Sequence, residues 1–444
     1  MTYSDIIKNI SYLVIKGNIE QTFTGKIRID SRIIKPGDIF VALKGTKVDG
    51  NDFIDSAISL GAKCIITEND IMVADDIIVI KVTNTRMCLL ELALIIRKRY
   101  LHIPLIAVTG SVGKTTTKEL IYYLLSNKYR VLKSQGNFNN DIGVPLTLFV
   151  LDDSYDICVL ELGMNHKGEI SKLSKVCLPT DAIITVIGTS HIGLLGTKEN
   201  IFEAKMEITE GLGTGTLVVN GDDPFLNKVK SDTFRLIKCG LKNKNDIKAV
   251  DILTTKNNLY FKLKYLDNYY NVIFPIPNDG LLIDILLSIY IALKYQVSID
   301  DIIKTLESYA GIENRNQIIK LKNNITLIDD SYNASYESLK IGLQMLENFN
   351  TDKIVIIGDI LELGSHSIKI HKNIKKLLKE YNKVILVGQH VKNIIGKNYV
   401  YCNCYNDVIK YLETIDLSNK TIYIKGSHAV GLFNVANSIK KNYL

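Results

Sequence analysis

Leu105-Ile106-Ala107-Val108-Thr109-Gly110-Ser111-Val112-Gly113-Lys114-Thr115-Thr116 is the stretch that decides the reading of this chain. A short apolar run ends at Val108, a glycine-rich turn follows, and a helical pattern continues from Lys118 to Leu125. The order is strand, loop, helix N-terminus. Backbone N–H groups in such a loop converge on one point, and the helix dipole adds partial positive charge there. Lys114 supplies a full charge for terminal phosphates, and a threonine hydroxyl, Thr115 or Thr116, holds Mg²⁺. The stretch therefore predicts an ATP or GTP site formed by Gly110, Ser111, Val112, Gly113, Lys114, Thr115 and Thr116. It departs from the usual phosphate-loop pattern, which has Gly where Val108 stands; here the first Gly is Gly110.

A chain of 444 residues is too long for one ordinary core, so two to four domains are expected. Its hydrophobic fraction of 46% and charged fraction of 23% are those of a soluble globular protein. The N-terminus lacks the basic and then apolar pattern of a signal peptide. The longest apolar stretch, Leu281 to Leu293, is short and carries Asp284, which reads as a buried helix and not a membrane span. Seven cysteines, an odd and scattered set, argue against a disulfide framework and fit a reducing cytoplasm. The net charge of +7 is spread along the chain, which points to a solvated lysine surface and not to a nucleic-acid binder.

The predicted fold class is α/β in three domains: residues 1–102, 103–312 and 313–444. The first opens with an amphipathic helix carrying Ile6, Ile7, Ile10 and Leu13, and ends in a helix over 89–100 before the linker His102-Ile103-Pro104. The second has strands at 105–109, 156–161, 182–187 and 216–219. Helices at 117–126, 168–175, 198–210 and 282–294 alternate with them, the signature of a parallel sheet covered on both faces. Residues 248–275 read as a small antiparallel insert. The third alternates again, with strands at 325–329, 353–357, 383–387 and 421–424, as in a Rossmann-like unit.

Several residues stand where a parallel sheet binds ligands, beyond strand C-termini. Glu161 ends one strand and suits Mg²⁺, which takes a few carboxylates plus phosphates and waters. Glu169 reads better as a helix-capping carboxylate. His191, in the polar loop Gly188 to Gly193, suits a structural or a ligand role equally. Lys205 lies in a helix and on composition is an ordinary solvated lysine. Gln135-Gly136-Asn137-Phe138-Asn139-Asn140-Asp141 is an amide-rich loop, fit to bond a polar peptide or sugar or to cap turns.

Together these places resemble the stations of the Mur ligase family, ATP-dependent enzymes that form amide bonds in cell-wall precursors. The resemblance runs nearly end to end. It rests on the phosphate loop, Gly136 to Leu146, Glu161-Leu162-Gly163 with Gly168-Glu169-Ile170, His191, and Ala204-Lys205 with Glu207-Ile208. In the first part it rests on Asp30-Ser31-Arg32, Pro36-Gly37-Asp38 and Ala42-Leu43-Lys44-Gly45. In the third it rests on Asp329 to Ala334, Gly358 to Gly364 with His371, and Arg315. These last features resemble the branch that adds D-alanyl-D-alanine to a UDP-N-acetylmuramoyl-tripeptide.

The resemblance implies a UDP-substrate-binding first domain, a central ATP-binding domain and a C-terminal ligase domain, acting as a cytoplasmic monomer. It implies ATP and two Mg²⁺ ions, with Thr115, Glu161, His191 and Lys205 at the metals and Lys205 carried as a carbamate. It implies catalysis by Lys114, His191 and Lys205, nucleotide contact by Arg315 with its partner Asp330, and substrate contacts by Ser31, Arg32, Asn137, Asn139 and Asn140. Two positions depart from the pattern. The family's adenine-contacting asparagines are missing from Gly280 to Leu286, the nearest being Asn278, and His428 stands in Lys425-Gly426-Ser427-His428 where the family has Arg. A ligase with another amine substrate, or a non-catalytic nucleotide-binding homologue, are the alternatives.

Overall fold

The computed structural model describes residues 2–45, 48–396 and 398–444. They build three sheets. In the first, strands Ile27–Arg28, Ile39–Val41, Cys64–Thr67 and Ile78–Lys81 pair in parallel, and Val14–Lys16 closes the edge antiparallel to Ile78–Lys81. The opening helix is shorter than its apolar pattern suggests. It spans Tyr3–Ile7, capped by Thr2, and although Ile10 is still buried, Leu13 is exposed.

The central sheet has nine strands. Leu105–Thr109 lies between Ile157–Glu161 and Asp181–Ile184, parallel to both. All three strands are buried along their whole length, as befits a sheet covered by helices on both faces. Strands Val131–Lys133 and Arg235–Gly240 extend it and escaped the sequence reading. The region expected as an insert is no separate unit. Ile247–Thr254 pairs in parallel with Arg235–Gly240, and Leu259–Tyr265 and Asn268–Phe274 continue the same sheet antiparallel. Short hairpin turns identify the antiparallel pairing locally, but which edge the hairpin joins is a long-range choice. Helix Leu282–Lys294 is almost wholly buried, as its apolar run implies.

The third sheet has six strands, five of them parallel, with Gln317–Leu321 antiparallel at one edge. That strand and Tyr399–Cys402 at the other edge were not legible in the sequence. Edge strands are half exposed and short, so their hydrophobic signal is weak.

Arg97, fully buried in helix Thr85–Arg99, joins the first unit to the second. Its guanidinium donates to the carbonyls of Cys177 (2.7 Å), Tyr100 (2.7 Å) and Ile103 (2.8 Å). A buried cation is tolerated only when its donors are met, and here backbone carbonyls from both units meet them.

Candidate active site

The strand–loop–helix of residues 105–125 places the phosphate loop at the C-terminal edge of the central sheet, where parallel sheets open to ligands. Gly113 takes φ +88° just before helix Lys114–Leu125, a left-handed conformation that favours glycine. A Cβ on Gly110 would lie 1.8 Å from Thr185 Oγ1, so the loop is tight against the neighbouring strand end. Lys114 Nζ folds back onto the Gly110 carbonyl at 2.9 Å. Ser111 Oγ is buried without a hydrogen-bond partner among the described residues, an orphan that an anion's oxygens would satisfy.

Ser111 to Thr116 line one side of a cleft of about 850 Å³. Glu161 stands beside them, buried at its strand end. Its two carboxylate oxygens accept from Thr115 Oγ1 (2.8 Å) and Asn139 Nδ2 (2.9 Å). Burial alone would raise this carboxyl, but Lys114, those two hydrogen bonds and Arg315 together hold it below the usual glutamate range. Glu161 is thus an anion at rest, ready for a cation. Among the described residues no three His, Cys, Asp or Glu side chains form a ready-made metal cage. One carboxylate and a threonine suit Mg²⁺, which completes its shell with phosphates and water.

Lys205 does not line the cleft. It lies buried in helix Lys198–Met206, within the fields of Lys114 and Glu161. Burial, with the Lys114 charge added, depresses its ammonium well below the usual lysine value. The solvated-lysine reading therefore fails: this amine is buried away from water.

Of the amide-rich loop, Asn139 orients Glu161, Asn140 Oδ1 caps the turn at Gly143 N (2.9 Å), and Asn137 is exposed on the cleft wall. Glu169 begins its helix and accepts from Asn165 N at 2.7 Å, as a capping carboxylate should. Ser31 and Arg32 are not brought to the cleft. Ser31 is buried, and Arg32 is exposed in a fork with Asp30.

The third unit supplies the opposite wall. His191 takes φ +63°, and its Nδ1 lies 2.8 Å from Glu362 Oε2, an ion pair when the imidazole is protonated but not an aligned hydrogen bond. His191 in turn holds the Glu362 carboxyl below its ordinary range. Gly193 N donates to the Glu362 carbonyl at 3.1 Å, and a Cβ on Gly193 would meet Gly364 N at 2.4 Å, so the two loops touch backbone to backbone. Asp359 pins the Glu362 loop through Gln389 N (2.8 Å) and Val391 N (2.9 Å), and His371 packs beneath it, buried.

Asp330 is paired with Lys425 (2.6 Å) and Tyr423 OH (3.1 Å), not with Arg315 as the sequence suggested. Arg315 lies with its guanidinium 4.1 Å above the Tyr332 ring, which also packs near His428. Asn278 caps the turn before helix Leu282–Lys294 and is not part of the cleft wall. Asp284 is, although in the sequence it stood out only as a carboxylate interrupting an apolar run. Tyr332, Glu362 and Lys425 were legible as motif members but without a role.

Three family models match in succession: the Mur ligase family catalytic domain over residues 25–100, the Mur ligase middle domain over 108–291, and the Mur ligase glutamate ligase domain over 314–428. The chain belongs to the Mur ligase family. It is 34% identical over 378 residues to the UDP-N-acetylmuramoyl-tripeptide--D-alanyl-D-alanine ligase of Bacillus subtilis, covering 82% of this chain and 81% of that one. The crystal structure of MurF from Acinetobacter baumannii superposes with a TM-score of 0.90 at 30% identity, over 99% of this chain and 98% of that one. MurF from Thermotoga maritima, solved in complex with ADP, superposes with a TM-score of 0.86 at 29% identity, over 94% and 98%. No helix among the described residues is long and apolar enough to cross a membrane.

Proposed function

We propose that this chain is an ATP-dependent, ADP-forming ligase that adds D-alanyl-D-alanine to UDP-N-acetylmuramoyl-tripeptide in the synthesis of peptidoglycan precursors. The observation that carries the reading is the cleft itself. A phosphate loop and an ionised Glu161 face a third-domain wall that touches the central domain through His191 and Glu362. The relatives' own names support the substrates.

The terminal carboxylate of the tripeptide attacks the γ-phosphorus of ATP and releases ADP. The amine of the dipeptide then attacks the acyl phosphate, an amide forms, and phosphate leaves with the proton passing to solvent or base. Two anions must meet in the first step, so Lys114 and the loop N–H groups neutralise the transferring group. Thr115 and Glu161 would hold one Mg²⁺ and His191 and Lys205 a second, and these ions would supply further charge neutralisation. A carbamate on Lys205 would form by attack of the amine lone pair on carbon dioxide with loss of one proton, and would put an anionic group where the lysine amine stands. Arg315 completes the nucleotide side. Ser31 and Arg32 belong to the UDP end and Asn137, Asn139 and Asn140 to the peptide end of the acceptor. Contact between the second and third domains excludes water from the acyl phosphate.

We take the domains as 1–102, 103–312 and 313–444, in a monomer of the cytoplasm. The test is phosphate release by the purified chain with ATP, Mg²⁺, UDP-tripeptide and a panel of D-dipeptides. Release that requires both the tripeptide and D-alanyl-D-alanine is expected. Release with another amine alone would replace the substrate, and none with any would leave a nucleotide-binding homologue.

A further inference from the structure

Two neighbouring hydroxyls in the loop Gly188 to Gly193 connect the third domain to the phosphate loop. Thr189 Oγ1 donates to Glu337 Oε2 at 2.9 Å, and Ser190 Oγ donates to the Ser111 carbonyl at 2.9 Å. Ser111 N donates in turn to the Val186 carbonyl at 2.8 Å, so both backbone groups of this phosphate-loop residue are tied to the chain around Thr189. His191 follows directly, with φ +63°. A residue other than glycine stays in that left-handed region only where its surroundings hold it.

Glu337 lies in the first turn of helix Tyr336–Leu346 in the third domain. The approach is close: a Cβ on Gly188 would lie 3.0 Å from Glu337 Cδ, tighter than an ordinary van der Waals contact. Lys198 Nζ stands 3.9 Å from Glu337 Oε1 and is 42% exposed, so that pairing is screened by solvent and holds little. The hydrogen bond from Thr189 is the directional contact. Gly193, at the other end of the loop, donates its N–H to the Glu362 carbonyl, so the third domain grips the loop at both ends.

We propose that Glu337 is a positioning residue for phosphoryl transfer: it fixes Thr189, and through Ser190 it fixes the phosphate loop in the geometry the reaction uses. In this role it touches no reacting atom and acts through Thr189. The proposal rests on the ligase reading for the reaction that is positioned. Misplacing a reacting group by about 1 Å costs up to about a hundredfold in rate, so one hydroxyl contact at a domain junction is enough to matter. The effect belongs in kcat and not in nucleotide affinity, because the central domain builds the phosphate loop and its tie to Val186 without help from Glu337.

Phosphate release by the whole chain with ATP, Mg²⁺, UDP-tripeptide and D-alanyl-D-alanine tests it. Glu337→Ala lowers kcat on the order of tenfold and leaves the KM for ATP within about threefold of the wild type. Glu337→Gln, whose amide oxygen still accepts from Thr189, recovers most of the loss. Both variants lose the negative charge at the helix N-terminus, so a merely structural role would move them together. Thr189→Val removes the donor from the other side and reproduces Glu337→Ala, and it carries the test alone if Glu337→Ala does not fold. The double variant is no slower than either single one, as two halves of one contact require. Full kcat in Glu337→Ala or Thr189→Val, equal losses in Glu337→Ala and Glu337→Gln, or additive losses in the double variant overturn the proposal while leaving the ligase reading intact. No phosphate release by the wild type overturns both.

Discussion

The central wall of the cleft is built from one short run of chain, residues 110–116, backed by Glu161 on the next strand. The opposing wall collects Arg315, Tyr332, Glu362 and Lys425 from four separate segments of the third domain. The first wall is held by backbone conformation: positive φ at Gly113, a glycine pressed on Thr185 at position 110, and a helix N-terminus. The second is held by side-chain partnerships: Lys425 on Asp330, Arg315 over Tyr332, Glu362 against His191. A wall made by local backbone tolerates loss of a side chain without unfolding, whereas a wall that contains a buried ion pair, Lys425 with Asp330, does not tolerate loss of one partner. Substitutions on the two walls should therefore fail in different ways.

The largest effect is expected at Lys425. Lys425→Met leaves Asp330 buried without its cation, and removing one partner of such a pair costs about 3–5 kcal/mol. Denaturant unfolding should report a loss of this size, offset in part at low pH because burial already raises the Asp330 carboxyl. A stable, inactive Lys425→Met would erase the distinction between the walls.

Lys114→Ala removes charge from the transferring phosphoryl group without disturbing the fold. Turnover should fall at least about a hundredfold, near 2.7 kcal/mol, with an unfolding midpoint close to the wild type. Near-normal phosphate release from this variant would remove the phosphate-loop assignment.

Lys205 sharpens the comparison, since it is a buried lysine on the central side that forms no direct ion pair among the described residues. Lys205→Ala should lose activity by roughly tenfold or more, as for removal of one electrostatic contributor. Acetate should restore part of it by filling the anionic position, and the same salt should do nothing for Lys114→Ala. Full activity of Lys205→Ala at limiting Mg²⁺ would sink the carbamate.

Glu161 gives the pH dependence a definite sign. Its folded carboxyl titrates below the ordinary glutamate value of about 4.3, so its contribution to stability is complete above that pH and is lost as pH falls through the folded value. Glu161→Gln should unfold with a shallower acid limb than the wild type, by fluorescence against pH. An unchanged limb would mean that other carboxylates dominate.

The smallest effect is expected at Glu362→Gln. The side chain is 54% exposed and its pairing with His191 is screened, so about 1 kcal/mol or less is at stake, read as a several-fold rise in KM that shrinks with added salt.

What could be read from the chain follows the same division. The phosphate loop, the strand ending at Glu161 and the buried helix at Leu282–Lys294 were legible because each is a local pattern: a glycine spacing, an apolar run, a helical period. The roles of Asp359 and His371 were not, because a carboxylate that accepts two loop N–H groups looks the same in sequence as one that binds a ligand. The pairing of Asp330 with Arg315 was what the family resemblance implied, and a matching motif cannot tell which of two cations a buried carboxylate meets.

By itself the sequence determined three α/β units and a nucleotide loop, since strand and helix periodicity and short glycine motifs are properties of neighbouring residues, and beside them it carried a resemblance to a ligase family. Only the tertiary structure decided that residues 247–274 extend the central sheet, that Lys205 is a desolvated amine, and that Asp284 faces the phosphate loop. Each of these depends on burial and on contacts between segments far apart in the chain. Desolvation, which sets whether a lysine or an aspartate carries charge, arises only when those segments pack.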